Sequence, residues 1–500
     1  MNQTADAYHW RTAYERHKMT PHHIDWASQP LPFKAYPSIE LVQLPEISRN
    51  DLPDMSLGSA CDGTGADANA GIPDPMDLAR IFAVACGLTA KARHPGGDIY
   101  FRSAPSAGAL YPNEVYLAWP GSERLASGIY HYSAHRGGFT PLRDRHGYNA
   151  LRPAFVPQPD QCSAVFVVSG IFFRSAWKYR ERAYRYLLLD AGHLLENLRL
   201  SIAAAGFAGG LAFDFDDTAV NQWLCLDAAR EVALGAIVLA DGPSEADGAG
   251  ASVDFPGTAD LASASRVADQ EVTYDAILDI HQAGHHIPAD RVSGVGPEIK
   301  PHTWQPLGPG ITAGASFTET ALRRRSRRNF IDRSMTADQF TCLLNLICCT
   351  HAAETLPENN PGSVACGCLV GNVTETPSGF YMVDTVNRRL GQVFSGDLRK
   401  VMATICLDQA WLANAAVHVA FMADLAWVDK VWGARGYRYA MMTAGRIGHA
   451  VYLAATAMNL GCCGIGAFYD REAAQVLSLK DKTAMLYLLG LGPVKSGRHG

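Results

Sequence analysis

Five arginines and one serine occupy residues 323–330, which read RRRSRRNF. Guanidinium groups and a serine hydroxyl match the oxygens of a phosphate monoester in charge and geometry. The whole chain has a formal net charge of −6, which gives no electrostatic reason to expect nucleic acid or an anionic membrane as a partner. We therefore predict an anion site at this segment, with a solvated basic stretch or a nucleic-acid patch as the alternative.

A second segment with chemical potential is the turn Pro105–Gly108, in RSAPSAGALYPNEVYLAW. Its small residues allow backbone amides to approach a ligand closely, and NEVYLAW follows as a predicted strand. The alternative is a turn that binds nothing.

The basic segment and this turn belong to two different copies of one domain. RAYRYLLLDAGHLLENLRLSIAAAGF at 182–207 and RGYRYAMMTAGRIGHAVYLAATAMNLG from 435 share Arg-x-Tyr-Arg-Tyr and then Ala-Gly at the same spacing. Arg185 and Arg438 are 253 residues apart (438 − 185), and flanking segments keep nearly this separation. A shift this steady over about a hundred residues indicates a duplicated domain rather than a short solenoid repeat.

Each copy has the pattern of a mixed α/β (α+β) domain. An apolar strand precedes a long helix, predicted from about Tyr179 to Ala205 and from about Tyr437 to Met458, and another apolar strand closes the copy. Glycine inside a helix costs about 1 kcal/mol against alanine, so we expect close helix contact at Gly192 and Gly445. The predicted units are an N-terminal arm on the surface at 1–70, a first domain at 71–242, a linker with one helix at 243–312 and a second domain at 313–500.

The composition, with 48% hydrophobic and 18% charged residues among 500, is that of a soluble two-domain protein. The chain starts without the apolar core of a secretory signal and has no apolar stretch of spanning length, so we expect a cytoplasmic protein with no membrane partner. The twelve cysteines form no Cys-x-x-Cys, and adjacent His285 and His286 lack helical metal-site spacing. We therefore predict no metal site.

Three segments carry a family resemblance. RRSRRNF, PSAGALYP and KYRERAYRYLLLDAGHLLENL resemble signatures of the FMN-dependent nitroreductase superfamily, the latter two those of its SagB-type dehydrogenases. The best-known SagB-type enzymes oxidise azoline rings to azoles in ribosomally made peptides. Family members are twofold dimers with FMN at the interface, so the resemblance implies two tandem nitroreductase-like domains that form an intramolecular pseudo-dimer.

The resemblance also implies how two unlike copies share one flavin. Each FMN of the family takes its phosphate ligands from one subunit and a Pro-Ser turn from the other, and the mirror-image site of this chain lacks both, so we predict a single FMN. The implied ligands are Arg324, Arg325, Ser326 and Arg328 at the phosphate, Pro105, Ser106, Ala107 and Gly108 against the isoalloxazine, Gly464, Ile465 and Gly466 beside the ring, and Lys495 and Arg498 near the phosphate.

Lys178 and Tyr179 are the implied catalytic residues. In azoline-oxidising relatives a Lys-Tyr pair is implicated in removing a substrate proton while hydride passes to flavin N5, and the second copy has Val431 and Trp432 here. An ammonium beside a phenol should favour the phenolate and lower the pKa of Tyr179, which suits a general base. The alternative is a surface lysine beside a packed tyrosine.

Other polar residues of the first long helix are assigned to structure. His193, which replaces Arg446 of the second copy, is expected to be a buried, hydrogen-bonded histidine. Four residues recur in both copies, and we expect them in ion pairs and ring packing: Arg182, Tyr184, Arg185 and Tyr186.

The leading hypothesis is an FMN-dependent SagB-type dehydrogenase that oxidises a peptide-derived or related heterocycle, azoline to azole. One alternative keeps the flavin but is a nitro-, quinone- or enone-reductase fed by NAD(P)H. The other is a non-catalytic subunit that organises a peptide-modifying complex.

Overall fold

The computed structural model describes residues 3–19, 23–64, 71–94, 97–160, 163–239, 253–256, 261–285, 299–308, 314–352 and 364–495. Within these ranges the helices are α1 (Ala5–Arg11), α2 (Leu57–Asp62), α3 (Pro75–Cys86), α4 (Arg145–Leu151), α5 (Phe172–Tyr179), α6 (Ala183–Ala204), α7 (Asp217–Trp223), α8 (Asp275–Ala283), α9 (Phe317–Arg323), α10 (Ala337–Ala352), α11 (Arg399–Ile405), α12 (Leu425–Trp432), α13 (Arg435–Ala457) and α14 (Asp470–Val476).

The strands of the same ranges are β1 (Val42–Gln43), β2 (Leu88–His94), β3 (Gly97–Arg102), β4 (Asn113–Trp119), β5 (Gly128–Ser133), β6 (Gly138–Arg143), β7 (Val165–Ile171), β8 (Gly209–Ala212), β9 (Glu231–Leu239), β10 (Thr303–Pro306), β11 (Ala365–Val370), β12 (Gly379–Asp384), β13 (Arg389–Ser395), β14 (Val417–Asp424), β15 (Gly461–Ile465) and β16 (Thr483–Gly492).

The duplication is visible in the order of the strands. Two seven-stranded sheets have the orders β1-β6-β5-β4-β7-β9-β8 and β10-β13-β12-β11-β14-β16-β15, which are the same path through each copy. Neighbouring strands pair antiparallel in both sheets. The mixed α/β fold in two tandem domains is therefore confirmed. The hairpin β2–β3 forms a separate two-stranded sheet and leads into the turn at Pro105.

The two domains meet along α6 and α13, whose side chains are almost all buried. At the crossing, a Cβ on Gly192 would lie 2.1 Å from the Met442 carbonyl oxygen, and a Cβ on Gly445 would lie 2.3 Å from the Leu189 carbonyl oxygen. Neither position leaves room for alanine. The expected close approach of two helices at the Ala-Gly pairs is confirmed.

The helix boundaries differ from the expectation. Helix α6 begins at Ala183 rather than Tyr179, because Arg180 (φ 51°) adopts a left-handed backbone conformation that ends α5. Gly433 (φ 60°) separates α12 from α13 in the same way. The two breaks are 253 residues apart (433 − 180), so the kink is a feature of both copies.

Residues 1–70 were expected to form an arm on the surface, but helix α1 of this segment packs into the interface between the domains. In α1 the side chains of Tyr8 and His9 are fully buried, and His9 Nδ1 lies 3.1 Å from the hydroxyl of Tyr437 in the second domain. Helix α8 of the predicted linker makes the corresponding contact, because His281 Nδ1 lies 3.1 Å from the hydroxyl of Tyr184 in the first domain. The helix that precedes each domain, α1 or α8, thus contacts the other domain through a buried histidine.

Buried ion pairs join the domains in the same reciprocal manner. Asp470 of the second domain binds Arg182 at 2.7 Å and Arg185 at 2.6 Å. Asp217 of the first domain binds Arg435 and Arg438. The structural assignment of the recurring arginines is confirmed. No helix of the described part of the chain is both long enough and apolar enough to span a membrane.

Candidate functional site

A cleft of about 170 Å³ opens between the two domains. Its walls come from the turn after β3, the end of α5, helices α6 and α13, the basic segment before Phe330, strand β16 and the end of β15 with the residues that follow it. The lining residues are Pro105, Ser106, Ala107, Gly108, Tyr179, Tyr186, Leu189, Asp190, His193, Ser326, Arg328, Gln409, Tyr452, Cys463, Gly464, Ile465, Gly466, Ala467 and Tyr487.

The Pro105–Gly108 turn is hydrogen-bonded to α6 through Asp190. The Ser106 hydroxyl donates to Asp190 Oδ2 at 2.6 Å, and the Ala107 amide donates to the same carboxylate at 3.1 Å. The Tyr111 amide donates back to Ser106 Oγ at 2.9 Å. Gly108 has φ 66°, and a Cβ on it would lie 2.9 Å from the Tyr179 hydroxyl oxygen. The turn therefore requires glycine here for both conformation and space.

Lys178 and Tyr179 reach this turn from the end of α5. A Cβ on Gly108 would also lie 3.2 Å from Lys178 Nζ, which places the ammonium and the phenol on the same side of the turn. Helix α5 is anchored by Arg174, which donates to the carbonyl of Tyr111 at 3.0 Å and to the Glu114 carboxylate at 2.5 Å. This buried pair links α5 to the segment that follows the turn.

The protonation of the pair differs from the expectation. Burial raises the pKa of the Tyr179 phenol above its usual value, and the nearby Asp190 carboxylate adds to the rise. Burial also lowers the pKa of Lys178, with a contribution from Arg328. The predicted lowering of the Tyr179 pKa is therefore wrong, because desolvation disfavours the charged form of both side chains.

The four predicted phosphate ligands of the basic segment fall into two pairs, one at the cleft and one away from it. Ser326 and Arg328 line the cleft, with Ser326 Oγ 3.0 Å from the hydroxyl of Tyr452. Arg324 instead donates from Nε to the Ser103 carbonyl at 2.6 Å and from Nη2 to the Arg102 carbonyl at 3.0 Å.

Arg325 is directed to the first domain in the same way. It donates from Nη2 to the carbonyl of Thr89 at 2.9 Å. Arg324 and Arg325, which we expected at the phosphate, do not line the cleft, because their guanidinium groups donate to backbone carbonyls instead.

Lys495 and Arg498 were the C-terminal residues expected near the phosphate. Lys495 pairs its amide with the Asn329 carbonyl at 3.0 Å but does not line the cleft. Arg498 lies outside the described residues. The cleft loop Gly464–Gly466, which comprises the last two residues of β15 and the residue after it, does line the cleft through all three residues.

Glycine is required in that loop by its neighbours. A Cβ on Gly464 would collide with the Tyr487 hydroxyl at 1.8 Å, and one on Gly466 would lie 2.4 Å from the Tyr186 ring. The Gly464 amide donates to the Tyr452 hydroxyl at 2.7 Å, and the Gly466 carbonyl accepts from Arg182 at 2.9 Å. The loop is thereby tied to both long helices.

Several cleft residues were not identified from the sequence as site residues. Asp190 is the clearest, and its signal was available, since the second copy has Thr443 at the corresponding place. His193 is buried and lies 3.1 Å from the Tyr487 hydroxyl, as the expectation of a hydrogen-bonded histidine requires, but it also lines the cleft. Burial lowers its pKa well below the usual value, so the ring is neutral.

The mirror-image position is filled by a buried ion cluster. Glu196 accepts from Arg199 Nη2 at 2.6 Å and from Arg446 Nε at 3.1 Å. By the 253-residue shift, Arg446 corresponds to His193 and Arg199 to Tyr452. The cleft and its mirror-image position therefore differ chemically: the cleft has His193 and Tyr452, and the mirror-image position has Arg446 and Arg199.

Asp217, His281 and His285 place three potential metal ligands within 4.8 Å of one another. Two guanidinium groups, those of Arg435 and Arg438, already occupy the Asp217 carboxylate. The two positive guanidinium groups would repel a metal cation. The cluster also corresponds to His9 and Asp470, which form the equivalent contact at the second domain. We assign it to the interdomain ion-pair network.

Both domains of the chain match the model of one protein family. The family model described as Nitroreductase family matches residues 67–241 and 321–493, more than half of the chain. Trifolitoxin-processing protein TfxB of Rhizobium leguminosarum bv. trifolii is 31% identical over 152 residues, 29% of this chain and 40% of that protein. Microcin B17-processing protein McbC of Escherichia coli is 28% identical over 133 residues, 25% of this chain and 49% of that protein.

A solved structure matches the chain over almost its full length. A crystal structure from Anabaena variabilis, described as that of a nitroreductase, aligns with a TM-score of 0.78 and 26% identity and covers 99% of this chain and 100% of that one. By contrast, the chain spans less than two thirds of the length of the curated relatives it matches.

Proposed function

Because the chain belongs to the nitroreductase family of oxidoreductases, we propose that it is an FMN-dependent dehydrogenase with one flavin site between its two domains. The resemblance inferred from the motifs is confirmed at the level of two nitroreductase domains in tandem, with peptide-processing proteins among the relatives. The observation that carries the proposal is the cleft to which the turn of the first domain and the basic segment of the second both contribute.

The donors of the cleft fit a flavin nucleotide. At one end the Ser326 hydroxyl and the Arg328 guanidinium offer charge-assisted hydrogen bonds to a phosphate. The small residues of the Pro105–Gly108 turn and of Gly464–Gly466 leave backbone surfaces suited to a flat ring. Arg324 and Arg325 would support the basic segment from the first domain rather than hold the phosphate.

One FMN per chain follows from the asymmetry of the pseudo-dimer. Where the cleft has His193 and Tyr452, the mirror side has Arg446 and Arg199, paired to Glu196. A flavin ring there would have to displace a buried ion cluster, which costs several kcal/mol once a charge is left unpaired.

Bound FMN would supply a two-electron acceptor for hydride, and this chain's own residues would manage the accompanying proton. Lys178 and Tyr179 stand together at the Gly108 turn. Since the pKa of Lys178 is lowered and that of Tyr179 is raised, we assign the proton-accepting role to the neutral amine of Lys178. The Tyr179 phenol then donates a hydrogen bond that orients the substrate.

The substrate class we propose is a peptide-derived heterocycle, oxidised from azoline to azole as by SagB-type enzymes. Its support is the similarity to TfxB and McbC, which are named for processing trifolitoxin and microcin B17. A peptide-modifying complex is the corresponding partner.

Flavin content and the direction of electron flow test the proposal. Purified protein should be yellow, contain one FMN per chain, keep its colour with NAD(P)H and bleach with a thiazoline peptide. Bleaching by NAD(P)H alone would favour the reductase alternative, and a colourless protein that takes up no FMN would favour the non-catalytic one. Two FMN per chain would contradict the single site.

A further inference from the structure

Asp190 is a buried carboxylate in the cleft for which the proposed chemistry has no use. It lies on α6 beneath the Pro105–Gly108 turn, and it is 6% exposed. Its oxygens accept from the Ser106 hydroxyl and the Ala107 amide, and no ion pair to it is formed among the described residues. A buried carboxylate with two neutral donors and no cation is costly to the fold.

The second copy shows that the fold itself does not need this charge. Thr443 stands at the corresponding place of α13, in a helix that packs equally deep. The carboxylate thus occurs on the side of the pseudo-dimer that has the Pro-Ser turn.

We propose that ionised Asp190 is a positioning residue, which holds the Pro105–Gly108 turn in its cofactor-facing shape, and that protonation of Asp190 loosens the turn and weakens flavin binding. This inference rests on the proposed function, because it concerns the same FMN site.

The chemistry of the contact gives the direction of the effect. A carboxylate accepts through both oxygens, and hydrogen bonds to an ionised acceptor are about twice as strong as those to a neutral one. Protonation removes the negative charge that strengthens the bonds from Ser106 and Ala107, and the new hydroxyl can bond only to Ser106 Oγ, which already accepts from the Tyr111 amide. The turn is therefore held best above the pKa of Asp190, and flavin affinity should fall as the pH drops through it.

The pKa places this change near neutrality. Burial raises the pKa of Asp190 from 3.8 to about 7, against the opposing effect of the bonds from Ser106 and Ala107. Because the pKa of Asp190 is higher in the folded chain than in the unfolded chain, the unfolded chain loses this proton at a lower pH. The free energy of unfolding therefore falls as the pH rises from about 4 to about 7.

The other groups around Asp190 do not titrate in the same way. Burial raises the pKa of the phenols that interact with it, so they stay neutral through this range: Tyr111, Tyr179 and Tyr487. His193, one turn further along α6, has a pKa well below its usual value and is neutral as well. Neither Lys178 nor Arg328 is among the groups that shift the pKa of Asp190, and both are present in all the variants below.

The test compares FMN release from the holoenzyme and from Asp190→Asn. Dissociation constants are obtained on dilution from the fluorescence of released FMN, between about pH 5.5 and pH 8.5. The ratio of the two constants is the measure, because it cancels the titration of the flavin phosphate itself. We expect the variant to bind about tenfold more weakly at pH 8.5, equivalent to one charge-assisted bond, and the ratio to approach one at pH 5.5.

Two further variants serve as a control and as a second test. Asp144→Asn removes a carboxylate that caps α4 at the surface and should leave the ratio at one throughout. Ser106→Ala keeps Asp190 but removes a donor to its ionised form, so the fall in affinity should begin at higher pH; this variant replaces Asp190→Asn should the latter not fold.

A ratio that is the same at every pH, or an unshifted midpoint in Ser106→Ala, overturns the inference and leaves the flavin site standing. A wild-type chain that retains no FMN at any pH overturns the proposed function, and the inference with it.

Discussion

Within the basic segment, neighbouring arginines differ in function because their guanidinium groups contact different parts of the molecule. Arg328 borders the cleft, whereas Arg324 is 4% exposed and is bound to the Arg102 and Ser103 carbonyls. A guanidinium that already donates to two carbonyls in a buried place stabilises the contact between domains. A guanidinium at the rim of the cleft is available to an anion.

We predict that Arg328→Ala weakens FMN binding about 10- to 100-fold, the loss of one hydrogen bond to a charged group. Arg323→Ala is the matched control, because Arg323 is exposed and donates to the Thr456 carbonyl away from the cleft. FMN titration checks both. Equal effects of the two changes would show that only the overall positive charge matters.

Tyr179 and Lys178 give a second prediction at the residue scale. Tyr179→Phe should keep FMN and slow substrate oxidation about tenfold, since a hydrogen bond is lost but the base remains. Lys178→Met should slow it by about 10² to 10⁴, the usual contribution of a general base.

The pH profile distinguishes the two roles. The pKa of Lys178 is lowered from 10.5, and the neutral amine is the reactive form, so turnover should rise with pH and level off above that pKa. Tyr179→Phe should keep this profile. A Tyr179→Phe enzyme with no pH dependence would return the base role to the phenol.

At the scale of elements, the crossing of α6 and α13 sets the width of the cleft, because both helices contribute lining residues. Gly192 and Gly445 allow their backbones to meet, and a methyl group at either place would contact a carbonyl oxygen of the opposite helix. Packed helices cannot absorb such a contact without moving apart.

Gly445→Ala should therefore destabilise the protein by about 1–3 kcal/mol despite the better helix propensity of alanine. Urea unfolding measures the change, and flavin retention should fall with it because α13 carries Tyr452. Ser201→Ala on α6, whose hydroxyl bonds the Asn197 carbonyl of its own helix, is the control and should change stability by less than about 1 kcal/mol. A more stable Gly445→Ala protein would contradict the close packing.

At the scale of the whole molecule, two buried carboxylates hold the halves together reciprocally. Asp470 pairs with Arg182 and Arg185, and Asp217 pairs with Arg435 and Arg438. The environments differ in one respect that concerns function, because Arg182 also donates to Gly466 of the cleft loop.

Asp470→Asn and Asp217→Asn should each lower the free energy of unfolding by about 3–5 kcal/mol, as two buried guanidiniums lose their charged partner. Only Asp470→Asn should also reduce FMN bound per folded chain, through Arg182 and Gly466. Urea unfolding and flavin absorbance are the two measurements. Equal loss of flavin in both variants would contradict the asymmetric coupling.

The sequence by itself determined the duplication and the mixed α/β fold of each copy, since the constant 253-residue shift and the helical and strand periodicities can be read from the residues alone. The Gly192 and Gly445 contact was predictable for the same reason, because a glycine within an apolar helix needs a packing partner. The pairing of the basic segment with the Pro105–Gly108 turn came from the family resemblance.

Only the tertiary structure decided which side chains of those segments enter the cleft. Arg324 and Arg328 are alike in sequence, and their difference depends on carbonyls more than two hundred residues away. The same holds for Asp190, whose donors lie on a remote turn, and for Tyr179, whose pKa depends on burial that no local pattern records. The exchange of α1 and α8 between domains likewise became visible only in the fold, because it depends on contacts between elements distant in sequence.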